Sequence, residues 1–383
     1  MTADAQQDSA AAADRLGLTA DGRQLVSILR VPRTRAELAG LGVPDDLLAA
    51  LEQHGLIEPQ GATRQPQDVY EAFSGWKAHR GMLVDHARTS AFRRAVETVT
   101  RPGDRVVDVG TGSGVLAMFA AQAGAAEVVG LEITDMADWA EHLARMNGLD
   151  AVRIVRGDAG AARLDGPADL VMGEFIGMTF LDEWRHYAAF CAVRDRHLKP
   201  GGRVLPRGGR MILSAVDSRE LYRQYGYGLW EAPAYGLDFS EVYPFEVANP
   251  CRAIVTVPHG ACVAEAGIAS FDFRTSQPQD FFFTAEVAFD YAAQGAFHGV
   301  LAHFELDMAP GQMLGSGPAH PETCWHHTYL PLPQMLVPDG GRVGLRARSF
   351  LDPASDTLCL GLTVAGPGET LEAGGHEHVF ALE

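Results

Sequence analysis

Val106-Val-Asp-Val-Gly-Thr-Gly-Ser-Gly114 decides how this chain is read. An apolar run leads straight into a glycine-rich turn. Gly110, Gly112 and Gly114 permit that turn to be tight and let backbone N–H groups approach a ligand closely. Around it, strand-like and helix-like segments alternate: strand 105–109, helix to about 123, strand 127–131, helix 137–146, strand 152–155 and strand 170–172. Pro102-Gly-Asp104 breaks the chain just before the series. The alternation predicts an α/β fold with a parallel, doubly wound, Rossmann-like sheet. By itself the G-x-G-x-G would also suit a dinucleotide or a purely structural turn. Asp108 before the first glycine and Glu132 at the end of the next strand fit S-adenosylmethionine better. Glu132 is expected to accept both ribose hydroxyls, and Asp158, after the third strand, to contact the adenine amino group.

The second informative stretch is Asp169-Leu-Val-Met-Gly-Glu-Phe-Ile-Gly-Met-Thr-Phe-Leu-Asp-Glu183. A short apolar strand puts Glu174 at its exit, and Glu183 follows where a helix begins, after a turn around Gly177. Two carboxylates facing one another repel, which raises one pKa unless a cation sits between them. A guanidinium fits that gap best, because its planar fork of donors can engage both. Two unrelated surface glutamates would give the same spacing.

Composition bounds the remaining possibilities. The 383 residues suffice for two or three domains, and 47% hydrophobic with 21% charged residues is ordinary for a chain that buries a core. No apolar run is long enough to cross a bilayer, and the first residues are acidic and polar, unlike a secretory leader. The five cysteines have no C-x-x-C spacing, so a reducing cytoplasm is expected, with no disulfide framework and no metal site. A net charge of −18 disfavours nucleic acid and anionic membrane as partners and attracts cations.

Residues 1–15 read as a disordered tail and 16–66 as a small winged-helix-like α domain. Its third helix carries Asp45, Asp46 and Glu52 with no Lys or Arg, so protein contact or dimerisation is expected rather than DNA binding. A linker, 61–67, leads to an amphipathic helical stretch over 69–98. Residues 67–204 form the cofactor-binding domain, and 205–383, with short alternating segments such as 281–289 and 299–307, an antiparallel β domain, barrel or sandwich. Trp76, Phe92 and Trp184 read as core aromatics, and His298 and His303 as structural.

Several further stretches occur in order: His79-Arg-Gly-Met-Leu-Val-Asp-His-Ala-Arg-Thr89, Asp108 to Gly124, the Glu174/Glu183 loop, Ala192-Val-Arg-Asp-Arg-His-Leu-Lys-Pro-Gly-Gly202 and Tyr235-Gly-Leu-Asp-Phe-Ser240. With them, the chain from about Val69 onward resembles the protein arginine methyltransferase family. The resemblance implies a class I methyltransferase sheet followed by an antiparallel β-barrel, S-adenosylmethionine as methyl donor, and a homodimer. It implies that Arg88 pairs with the carboxylate of the donor, that His79 and Met82 line the pocket, and that Glu174 and Glu183 hold a guanidinium. The chain also looks like the bacterial branch that methylates free L-arginine for natural products such as streptozotocin. An arginine-containing peptide is the alternative acceptor.

Three features depart from the family. Where it has Thr-His-Trp lining the pocket, this chain has Thr323-Cys324-Trp325, so the histidine that pairs with the aspartate at Asp85 is missing. His326 or His327 could substitute, and Trp325 could stack on substrate. The aromatic pair before the lid helix is Tyr70 and Phe73, in inverted order, leaving open how many methyl groups are added. The dimerisation arm, 241–262, is shorter, so the N-terminal domain is expected to contribute to dimerisation. Two further readings stand beside the enzyme: a methyltransferase-fold binding module with degraded chemistry, and a methyltransferase for a non-arginine nucleophile.

Overall fold

The computed structural model describes residues 73–382, apart from Ala354 and Gly374, together with Asp46, Leu48 and Ala49. The N-terminal tail, the winged-helix-like domain as a whole, the linker and Tyr70 therefore lie outside the described residues. The features below belong to one compact unit, 66–351 with 357–383.

Two helices open the described chain, α1 (Trp76–Val84) and α2 (His86–Val99). A single helical stretch was expected here. It breaks at Asp85, whose ψ of 88° ends α1 and whose carboxylate caps α2 by accepting the Arg88 backbone N–H at 2.9 Å. Then come β1 (Arg105–Val109), α3 (Val115–Gln122), β2 (Glu127–Glu132), α4 (Met136–Met146), β3 (Val152–Arg156), β4 (Ala168–Gly173), α5 (Trp184–His197) and β5 (Leu198–Leu205). The five strands pair in parallel in the order β3-β2-β1-β4-β5. β1 and β4 are apolar and buried, as parallel strands covered on both faces must be. The order reverses between β1 and β4, and ligands bind in the crevice beyond the carboxyl ends at such a switch point. Asp158, Glu132 and Glu174 all stand at or just past strand ends on that side.

The rest of the chain is β-rich: β6 (Gly208–Val216), α6 (Arg219–Tyr225), α7 (Tyr243–Ala248), β7 (Ala253–Val255), β8 (Cys262–Asp272), β9 (Thr284–Asp290), β10 (Gly295–Ala309), β11 (Gln312–Gly315), β12 (His327–Val337), β13 (Arg342–Asp352), β14 (Thr357–Ala365) and β15 (Glu377–Ala381). Among the described residues these strands form two sheets, not one closed ladder. One runs β7-β12-β10-β6-β8 with β11 added to β10, the other β15-β14-β13-β9. The expected strand over 281–289 begins only at Thr284, because Pro278–Phe281 forms a 3-10 turn. Phe180, from the loop after β4, docks on the first of these sheets, its fully buried ring lying 5.4 Å from Phe271 of β8 and 5.7 Å from Phe304 of β10. Phe92 is core, but Trp76 is 37% exposed and packs edge-on against Trp139, so it does not belong to the interior.

Candidate active site

A cavity of about 790 Å³ opens at the switch point. Its walls come from α1, the glycine turn, the ends of β2 to β4, the Glu174–Glu183 loop and the segment 324–326. α1 forms one wall. His79, buried, is tethered by Nε2 to the Phe73 carbonyl at 2.9 Å, and its ring fills the space that a Cβ on Gly112 would need. With φ at +53°, Gly112 has no room for a side chain and little conformational alternative to glycine.

Glu132 is buried in this wall. Its Oε2 accepts the Gly112 N–H at 2.8 Å, and Oε1 accepts the Thr134 N–H at 2.8 Å and hydroxyl at 2.7 Å. A carboxylate offers roughly four acceptor positions, so accepting two ribose hydroxyls requires one of these donors to give way. Asp158 lines the cavity with Oδ1 turned to the Gly160 N–H at 2.8 Å. Asp108 and Gly114 are not among the lining residues. Asp108 lies behind the turn, where Thr111 donates to Oδ2 at 2.5 Å, and burial drives its carboxyl up to about 7 against that hydrogen bond.

Arg88 is the hub of the opposite wall. Its Nη2 donates to Glu174 Oε2 at 2.5 Å and to Met82 Sδ at 3.5 Å. The guanidinium lies over the rings of Phe92 and Trp325, at 5.3 and 5.4 Å. Its Nε is buried without an acceptor. That orphaned cationic donor fits a methyl donor that carries a carboxylate, since an unpaired buried N–H is costly. Glu174 Oε1 in turn accepts the Ile176 N–H at 2.8 Å. Glu183, also lining the cavity, occupies the N-cap position of α5 without a side-chain capping bond and pairs through Oε2 with His186 Nδ1. Burial raises the Glu183 pKa, and the His186 contact holds it back.

The 323–327 segment reaches over from the β domain. The Cys324 N–H donates to Asp85 Oδ2 at 2.7 Å, and the Trp325 indole to the Ile176 carbonyl at 2.8 Å. Trp325 is thus a buried strut lying against Arg88 and edge-on to Phe304, rather than a free platform for substrate. Thr323 is buried but does not line the cavity; Cys324 and Trp325 do. Neither proposed substitute for the missing histidine faces Asp85 among the described contacts. His327 Nδ1 accepts the Val257 N–H at 2.8 Å, and His326 pairs with Glu322 at 3.5 Å. Burial pushes the Cys324 thiol up to about 12. His298 is buried and meets a carboxylate, Asp217, at 3.6 Å; His303 is buried and bonded to Ser214 at 2.8 Å. Sequence reasoning missed His186, whose only signal was its place three residues after Glu183.

The fold and this cavity define an S-adenosylmethionine-dependent methyltransferase. Residues 84–180 match the ribosomal protein L11 methyltransferase (PrmA) family, and residues 209–345 match the arginine methyltransferase oligomerization subdomain. Protein arginine N-methyltransferase 1.1 of Arabidopsis thaliana is 28% identical over 310 residues, 78% of this chain and 78% of its own length. Protein arginine N-methyltransferase 6 of Xenopus laevis is 26% identical over 72% of this chain and 83% of its own. Among solved structures, a Trypanosoma brucei PRMT1 enzyme-prozyme heterotetrameric complex with AdoHcy matches with TM-score 0.72 at 26% identity, covering 82% of this chain and 100% of that one. The chain is thus similar to the protein arginine N-methyltransferases over most of its length. Among the described residues no helix is long and apolar enough to cross a membrane, and no group of three or more His, Cys, Asp or Glu is placed to hold a metal ion.

Proposed function

We propose that this enzyme methylates a guanidinium nitrogen of arginine, and that the acceptor is free L-arginine. The observation that carries the reading is that Glu174 already accepts a guanidinium N–H, that of Arg88, in a nearly dry setting beside the second carboxylate, Glu183. Bound S-adenosylmethionine supplies a sulfonium methyl as electrophile. A guanidinium is a poor nucleophile because its nitrogen lone pairs are delocalised. Glu174 and Glu183 localise the positive charge on the nitrogens they engage and leave the remaining nitrogen richer in electrons. Fixing that nitrogen toward the methyl group removes much of the entropic barrier. Arg88 holds the donor's carboxylate through its unpaired Nε while its Nη2 keeps Glu174 aimed. His79, Met82 and the turn at Gly110 and Gly112 bound the donor site, Asp108 braces the turn from behind, and Phe73 and Cys324 bound the acceptor side.

Free arginine as acceptor is supported by Lys77, which lines the cavity and makes no ion pair among the described residues, leaving it available to an α-carboxylate. A peptide acceptor is favoured instead by the names of the relatives, which are protein arginine methyltransferases. Offering free L-arginine and an Arg-Gly-rich peptide in separate reactions, followed by mass spectrometry, tests the choice. A methyl gain on free arginine alone supports the proposal, and a gain on the peptide alone overturns it. The acting unit in this reading is a cytoplasmic homodimer, supported by the oligomerization match, by exposed Tyr235 and Leu237, and by five cysteines that form no disulfide among the described residues.

A further inference from the structure

In this chain Asp85 has no imidazole beside it among the described contacts. Its two carboxylate oxygens take the backbone N–H groups of Arg88 and Cys324. The Cys324 thiol cannot accept a proton as an imidazole would, and His327 and His326 are engaged with Val257 and Glu322. One imidazole does stand beside a reacting carboxylate. His186 lies in the first turn of α5, where a residue three positions on lies next to the N-cap, and its Nδ1 meets Glu183 Oε2. Its ring is set edge-on to Phe73, 5.6 Å between centroids at 89°, and both His186 and Phe73 line the cavity. The half-buried pair, with 21% and 24% of the side chains exposed, has access to the cavity without being open to bulk water.

We propose that His186 is the positioning residue that makes Glu183 the proton acceptor of the methyl transfer, in place of a histidine at 324. The inference rests on the guanidinium reading above. In the transfer, the arginine nitrogen forms a bond to the methyl carbon. The methyl–sulfur bond breaks with its electron pair staying on sulfur, and the nitrogen sheds one proton. Glu183 and neutral His186 together carry one negative charge. The pair takes that proton as a unit, becomes neutral, and later releases the proton to water. His186 also offsets part of the burial that raises the Glu183 pKa, which favours the carboxylate that holds the guanidinium beforehand. Among the described residues the carboxylates that act on Glu183 are Asp182, itself bound to Arg252 at 3.2 Å, and Glu174, bound to Arg88, and Arg185 stands between the pair in sequence. Lys77 and His326 line the same cavity.

The test compares wild type with His186→Asn, whose amide keeps a hydrogen bond to Glu183 but takes no proton, and with His186→Ala. Variants are read only where thermal melting and S-adenosylhomocysteine affinity match wild type; His186→Asn serves if His186→Ala does not fold. The proposal predicts that His186→Asn lowers kcat for arginine about 100-fold, leaves KM within about three-fold, and moves the acidic limb of the kcat/KM profile to higher pH. Unchanged kcat and an unchanged limb overturn it. If wild type itself transfers no methyl group to a guanidinium, the functional reading fails first. The pair is then read by the pH titration of 15N-histidine signals. A changed His186 Nδ1 signal in Glu183→Gln supports the shared proton, and an identical signal rejects it.

Discussion

Arg88 and Glu174, 86 positions apart in the chain, meet at 2.5 Å with only 7% and 14% of their side chains exposed. One guanidinium thereby links the lid helices to the strand end that carries the first carboxylate. Its Nε remains directed at no protein acceptor.

Replacing Arg88 tests this link. Arg88→Lys retains a charge but not the fork, so S-adenosylhomocysteine affinity is expected to fall at least about 10-fold by calorimetry. Arg88→Ala leaves Glu174 buried and unpaired, and a loss of about 3 kcal/mol in stability is expected from denaturant unfolding.

Cys324 is expected to be chemically quiet. With its thiol held up near 12, it carries almost no thiolate at neutral pH. Iodoacetamide should label exposed Cys251 well before it, as read by peptide mass spectrometry. Cys324→Ser should keep kcat within about three-fold. Early labelling of Cys324 with loss of activity would count against this assignment.

Acid should unfold the protein through its buried histidines. Burial holds His303 down to about 4 and lowers His298, His327 and His378 as well. These rings are neutral in the fold, so below about 6.5 the unfolded chain binds more protons. Their stability contribution is complete above that pH and is lost as the pH falls toward 4, on the order of 3 kcal/mol for His303. Asp108, raised to about 7, acts oppositely: its contribution is present below the ordinary aspartate range and lost as the pH rises through 7. Glu183 and Glu246, also raised by burial, act with Asp108, so the histidine part of a drop in melting temperature between pH 7 and pH 5 is the part that a variant without His303 removes. His303→Gln should flatten the drop.

The homodimer is expected to use the segment after α6, where Tyr235 is fully exposed and Leu237 61% exposed. Such apolar exposure is typical of a surface that another chain covers. Tyr235→Glu with Leu237→Glu should convert a dimer to a monomer in light scattering, and deletion of residues 1–66, the other expected contributor, is measured beside it. A dimer that survives the first change and dissociates on the second would assign the contact to the N-terminal residues.

Much of this was legible because parallel strands are short apolar runs ended by glycine or acid. Val106–Val109 and Leu170–Met172 declare themselves, and Glu132, Asp158 and Glu174 follow from counting past strand ends. The break at Asp85 was hidden, because no proline interrupts the helical pattern and the cause is a carboxylate turning back on its own helix. His186 was overlooked because its proximity to Glu183 depends on α5 starting at Trp184. The docking of Trp325 on Ile176 joins residues 149 positions apart, a tertiary contact with no local signature. Trp76 misled by type: an indole suggests burial, but this one packs against Trp139 at the surface.

The most direct test of the guanidinium-binding carboxylate pair is the rate of methyl transfer to free L-arginine by wild type, Glu174→Gln and Glu183→Gln. S-adenosylhomocysteine binding is measured on the same preparations. Wild type is predicted to yield methylarginine, Glu183→Gln to lose at least about 100-fold in kcat with cofactor affinity kept, and Glu174→Gln to lose both activity and some affinity through Arg88. Turnover of arginine by Glu183→Gln at close to the wild-type rate would contradict the account.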